Sequence, residues 1–177
     1  MAIPYTYHVS ILRLTGLGQL TLSLGYLTPK QKTIWDLKSS GLPEAGIARK
    51  LKVTRQTIHK AIDTANTKIG EALQETAKIN KIDIQTLDPA KGFLLGYSSH
   101  FKTQAFITFS AKNGIQVWYK HEGDCQKCSK IQTCRETLLA EAKDRNFLIL
   151  DETNKILPSK LAEALFAKIV GDKNGNA

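Results

Sequence analysis

The sequence predicts a mixed α+β protein: a helical helix-turn-helix domain followed by a small α+β domain with an antiparallel sheet and a Cys-rich site. Three observations predict it. Apolar residues at three- and four-residue spacing run through residues 27–80. Three short stretches rich in aromatic and β-branched residues follow between 93 and 119. The only three cysteines of the chain then fall within ten positions, 125 to 134.

The elements follow in order. Residues 1–26 carry the alternation Leu20, Leu22, Leu24, which reads as a strand joining the C-terminal sheet. Thr28 caps a first helix with Pro29 in its first position, Ile34, Trp35 and Leu37 on its apolar side and Gly41 at its end. Pro43 opens a second helix with Ile47, Ala48 and Leu51 facing inward. Thr54 caps a third, whose Ile58, Ala61, Ile62, Ala65, Ile69 and Leu73 carry the helical period toward Ile79. That helix is far longer than a recognition helix needs, which points to a second role such as pairing with a second chain. Asp88, Pro89 and Gly92 mark a linker over 81–91. The domain that follows spans 92–177, with strands over 93–97, 104–109 and 115–119 and a two-residue hairpin turn at Asn113-Gly114. Helices are expected over 135–144 and 158–170, with the apolar run Phe147 to Leu150 between them.

Composition narrows the function. The 177 residues are 42% hydrophobic and carry a formal charge of +9, which favours a polyanionic partner. Residues 27–80 hold ten Lys/Arg against five Asp/Glu, the densest surplus in the chain. No apolar run approaches the ~18 residues of a membrane span, and the start of the chain lacks a secretory pattern. A cytoplasmic protein with no membrane partner is expected. Three clustered cysteines are too few for a disulfide framework and fit metal or redox chemistry.

Residues 43–60 carry the sharpest signal. Ala48 supplies the small residue needed where the second helix meets the third, and Ile58 the buried aliphatic ten positions on. In the docking geometry of such motifs the third helix lies in the major groove with its first turn against base edges. Arg55 suits guanine and Gln56 suits adenine. Thr54, Thr57, His59 and Lys60 reach phosphates or neighbouring bases. Lys30, Lys32, Arg49 and Lys50 flank the groove and neutralise phosphate.

Leu27-Thr-Pro-Lys-Gln, Trp35-Asp-Leu-Lys with Gly41-Leu42-Pro43, Ile47-Ala48-Arg49-Lys50-Leu51 and Thr54-Arg55-Gln56-Thr57-Ile58 carry a resemblance. The stretch resembles the DNA-binding module shared by LuxR-type regulators and sigma factor region four, closest in style to archaeal Tfx-like transcription regulators. The resemblance covers residues 27–80 alone and implies a regulator that binds double-stranded DNA, often as a homodimer. It departs at Lys52, where the family commonly has Gly, and at Gly46, where a helix former is usual.

The second signal is Cys125-Gln-Lys-Cys128 with Cys134 and, upstream, His121. Two thiolates at this spacing bind one metal from a single turn, and a third can join them. His121 completes a Cys3His tetrahedron suited to zinc; Asp124, His100 or a group from a second chain are other fourth ligands. An iron–sulfur cluster is the alternative cofactor. Lys127 and Lys130 are expected to lower the thiol pKa values.

These readings converge on a sequence-specific DNA-binding transcription regulator with a metal- or redox-linked C-terminal domain. An enzyme acting on nucleic acid, docked by the helix-turn-helix, is one alternative. An adaptor in a transcription complex, with a structural zinc site, is another. No phosphate-binding glycine loop, nucleophile elbow or paired-carboxylate motif is present, so no catalysis is expected.

Overall fold

The computed structural model describes residues 27–120, 124–147 and 156–171. The strand expected in 1–26, the apolar run beyond Phe147 and His121 lie outside the described residues. Those residues contain five α-helices and one four-stranded antiparallel sheet, a mixed α+β architecture. They fall into two compact units, one within residues 8–119 and one that takes in the chain from Lys120 onward.

The first unit opens with α1 (Pro29–Ser39), set by a capping box. The Thr28 hydroxyl accepts from the Gln31 amide at 3.2 Å, and the Gln31 side chain accepts from the Thr28 amide at 3.0 Å. Gly41, at φ +91, ends the helix. The Leu42 amide reaches the Leu37 carbonyl and the Gly41 amide the Lys38 carbonyl, the paired bonds of a Schellman motif. Helix α2 (Glu44–Leu51) ends in the same way. Lys52 takes the left-handed conformation, φ 53 and ψ 46, where the turn usually has glycine. The Val53 amide bonds to the Ala48 carbonyl at 3.1 Å and the Lys52 amide to the Arg49 carbonyl at 3.3 Å. Lysine therefore makes the turn, at a backbone cost of about 1–2 kcal/mol.

Helix α3 (Arg55–Ile79) runs for 25 residues and has two buried stretches. Its first third closes a small core of Ile34, Ile47, Ala48, Ile58 and Ile62 with α1 and α2. The rest lies on the sheet: Ala65, Ile69, Leu73 and Ala77 share a core with Ile82, Leu94, Ala105, Ile107 and Phe109. Each large aliphatic residue buried here contributes about 1.5–3 kcal/mol relative to exposure. The apolar face that suggested a contact with a second chain is thus covered by the chain's own sheet.

The sheet is a meander of β1 (Ile82–Asp88), β2 (Phe93–Ser98), β3 (Thr103–Ser110) and β4 (Gly114–Tyr119), in that spatial order. Leu94, Ile107 and Val117 face each other across β2, β3 and β4 and form one row under α3. Two corrections follow. The stretch 81–91, read from the sequence as a linker, is β1 and the turn after it. The loop between β3 and β4 has three residues between the paired Ser110 and Gly114, not a two-residue turn at Asn113-Gly114. Gly114 enters the strand at φ +71.

Trp35 of α1 ties the three helices to the sheet. It is 3% exposed and meets the Phe109 ring edge-on at 5.1 Å between centroids. Gly92, at φ +59, lets the β1–β2 turn pass beneath it: a Cβ there would lie 2.4 Å from the Phe109 carbonyl oxygen and 3.1 Å from the Trp35 ring. The boundary expected at 81–91 therefore does not divide two cores. The three helices and the sheet belong to one compact unit.

The second unit holds a short 3-10 turn (Cys125–Lys127), α4 (Ile131–Asp144) and α5 (Pro158–Val170). Helix α4 begins one turn before the expected Arg135. The two helices pack on each other. Glu141, 1% exposed, accepts from Arg145 Nε at 2.9 Å. No helix among the described residues is long and apolar enough to cross a membrane.

Candidate nucleic-acid interface and cysteine cluster

The start of α3 is presented by the turn at Lys52 and by its own cap. The Thr54 hydroxyl accepts from the Thr57 amide at 3.1 Å and lies 2.8 Å from the Thr57 hydroxyl. Ile58, fully buried, points the helix inward. Everything around it then faces out: Thr54, Arg55, Gln56, Thr57, His59 and Lys60 are all exposed. The six residues singled out from the sequence share the solvent side of the first two turns of one helix.

The flanking cations sort by position. Lys30 is exposed in the first turn of α1, and Lys32 is half-buried two residues on. Arg49 and Lys50 are exposed in the last turn of α2, where cations also complement the helix dipole. Lys68, which was not singled out, donates to Gln31 Oε1 at 3.4 Å and so stands beside the start of α1. Its signal in the sequence was weak, because one lysine eight residues past Lys60 on a long helix reads as a solvated face.

One acidic residue inside this basic region also went unread. Glu44 opens α2, and the crossing of α2 and α3 lays it over the first two turns of α3. Its carboxylate meets Arg55 Nε at 3.6 Å and His59 Nδ1 at 3.5 Å. His59 Nε2 in turn lies 3.4 Å from Asp63 Oδ2. The signal available in the sequence was a lone carboxylate at a helix start, which the helix dipole explains without any partner.

In the second unit the backbone gathers the three cysteines around the start of α4. The Cys128 amide bonds to the Cys125 carbonyl at 3.3 Å, the Ile131 amide to the Cys128 carbonyl at 3.2 Å and the Cys134 amide to the Lys130 carbonyl at 2.9 Å. Each thiol is free and half-buried. Burial pushes the Cys134 thiol pKa up, and the nearby Cys125 and Cys128 push it the same way. This is opposite to the lowering expected from Lys127 and Lys130. Lys127 is instead paired with Asp124 at 3.7 Å.

Two of the alternative fourth ligands have local contacts. Asp124 Oδ1 accepts from the Gln126 amide at 2.9 Å, and the His100 ring stacks edge-on against Phe101 at 4.7 Å. Among the described residues, no group of three or more His, Cys, Asp or Glu side chains is arranged to hold a metal ion. His121 is not among the residues that statement covers. The donor chemistry suits zinc: three thiols with one further ligand make a closed tetrahedral site.

Comparison of the chain with protein-family models, with curated proteins and with solved structures finds no match.

Proposed function

We propose that this protein is a sequence-specific regulator of transcription that binds double-stranded DNA through α3. One observation carries the reading. A three-helix arrangement with its own small core presents Thr54, Arg55, Gln56, Thr57, His59 and Lys60 together at the start of its third helix. Arg55 and Gln56 read base edges there, Thr54, Thr57, His59 and Lys60 touch phosphates or neighbouring bases, and Lys30, Lys32, Arg49 and Lys50 neutralise phosphates. The charge surplus of residues 27–80 and their resemblance to known DNA-binding modules support the same reading. Two copies would present two recognition helices to two half-sites. The apolar face of α3 is already covered, so the contact between copies would use another surface.

Selection from a randomised duplex library, followed by anisotropy titration of the enriched site, tests this. Arg55→Ala and Gln56→Ala should each relax selectivity at one base pair by about 1–3 kcal/mol while leaving non-specific binding in place. A palindromic site would support the paired copies. Full selectivity in both variants would refute groove reading by these residues.

The sequence spacing of Cys125, Cys128 and Cys134 is the ground for a second component: a zinc site on these three with His121 as fourth ligand, whose side chains would have to close on the ion from the arrangement described above. Held there, the ion would serve a structural role. Metal analysis and an absorption spectrum of anaerobically purified protein distinguish zinc from an iron–sulfur cluster. Metal-free protein with three freely titratable thiols would remove the site.

A further inference from the structure

Glu44, Arg55, His59 and Asp63 form a chain of side chains at the front of α3, and its least exposed member is Glu44. Glu44 is 19% exposed at its side chain, against 75% for Arg55, 60% for His59 and 62% for Asp63. It is also the member held on another helix. A carboxylate anchored on α2 and aimed at the Arg55 Nε constrains which part of that guanidinium remains available. Nε faces Glu44 at 3.6 Å, while the two terminal nitrogens carry the remaining donors of the fork. Those are the donors a guanine needs, since O6 and N7 lie side by side on its major-groove edge.

We propose that Glu44 is a positioning residue for base reading: it holds Arg55 by Nε so that both terminal nitrogens face one guanine. The proposal rests on the groove-reading role of Arg55 given above. A carboxylate near phosphates works against affinity for DNA of every sequence, so its benefit falls on discrimination. The same carboxylate also meets His59 Nδ1, whose Nε2 lies near Asp63 one turn further along α3.

The test uses the full chain and the duplex enriched from a randomised double-stranded library, with its three single-base variants at the preferred guanine. Glu44→Gln should lower the preference for that guanine about two- to fivefold, the scale of an exposed ion pair. Non-specific affinity should hold or rise, the salt slope should stay unchanged, and the thermal midpoint should fall only slightly, by the loss of the charge at the start of α2. Glu44→Asp keeps the charge at the helix start but shortens the reach, so it should behave like Glu44→Gln. Arg55→Ala should lose the guanine preference, and adding Glu44→Gln to it should change nothing further.

Three results would overturn the proposal. If both Glu44 variants keep the full preference while Arg55→Ala loses it, the positioning role falls and groove reading stands. If the Glu44 variants weaken or strengthen all duplexes by one factor, the carboxylate acts on general electrostatics or on the fold. If no sequence is enriched by the unaltered protein, or Arg55→Ala keeps the preference, groove reading by Arg55 falls and the proposal falls with it.

Discussion

Gly92→Ala separates two costs that a positive φ and a crowded site impose. Gly92 sits at φ +59, and an added Cβ would lie 2.4 Å from the Phe109 carbonyl oxygen and 3.1 Å and 3.2 Å from two atoms of the Trp35 ring. The carbonyl is backbone, so it cannot swing aside like the end of a flexible side chain. A Cβ in the left-handed region costs about 1–2 kcal/mol, and overpacking a close-fitting site costs about 1–3 kcal/mol more. The smaller entropy of the unfolded alanine chain returns about 0.4–1 kcal/mol. The net loss is about 1–5 kcal/mol, centred near 3. Gly114→Ala is the control, because Gly114 is at φ +71 with nothing within 4 Å of the added atom. It should lose only about 1 kcal/mol. Urea unfolding followed by tryptophan fluorescence measures both, since Trp35 and Trp118 report on this unit. With a slope of about 1–3 kcal/mol per molar urea, the two midpoints should separate by about 1 M. Equal midpoints would show that the turn does not press against Trp35 and Phe109, and the joint core of helices and sheet would lose its central contact.

Three further outcomes follow from the same core. A fragment of residues 27–80 should be largely unfolded by circular dichroism, because removing the sheet uncovers Trp35, Ile69, Leu73 and Ala77; a fragment of residues 27–119 should fold, and a stable 27–80 fragment would refute the shared core. Lys52→Gly should raise the urea midpoint, by an amount equivalent to about 0.5–1 kcal/mol, since it relieves the left-handed lysine; a lower midpoint would mean that the lysine side chain stabilises the turn. Burial raises the Tyr119 hydroxyl pKa above its ordinary 10.0, so the folded chain favours the protonated ring. The resulting stability is fully present below pH 10.0 and is lost as pH rises through the folded value. Tyr119→Phe should flatten that alkaline slope in urea midpoints measured on either side of it, and an unchanged slope would assign the loss to other groups.

The helices were legible because their ends are written in local chemistry. Thr28 with Pro29, Gly41, and Thr54 are caps whose partners lie within a few residues, so no knowledge of the fold is needed to place them. Strand β1 was not legible, and the reason is physical. It lies at the sheet edge with most of its residues exposed, and an irregularity between Ile84 and Thr86 breaks the two-residue alternation. Ile82, Ile84 and Leu87 therefore never form a regular strand pattern. The length of α3 was visible, but not what covers it. A helical apolar face carries the same spacing whether a second chain or the protein's own sheet lies against it, and only the fold distinguishes the two.

The site divides along the same line. Arg55, Gln56 and their neighbours were readable because one helix start holds them all. Glu44 was not, because its contacts join residues 11 and 15 positions apart, across a helix crossing that the sequence does not display. That crossing depends on Lys52 taking the left-handed turn and on Ala48 and Ile58 filling the small core beneath. A change in that core that tilts α2 would move Glu44 relative to Arg55 and would also cost stability, since Ile47 and Ile58 are fully buried. In the proposed function, the turn and the core beneath it would bear on specificity as well as on folding.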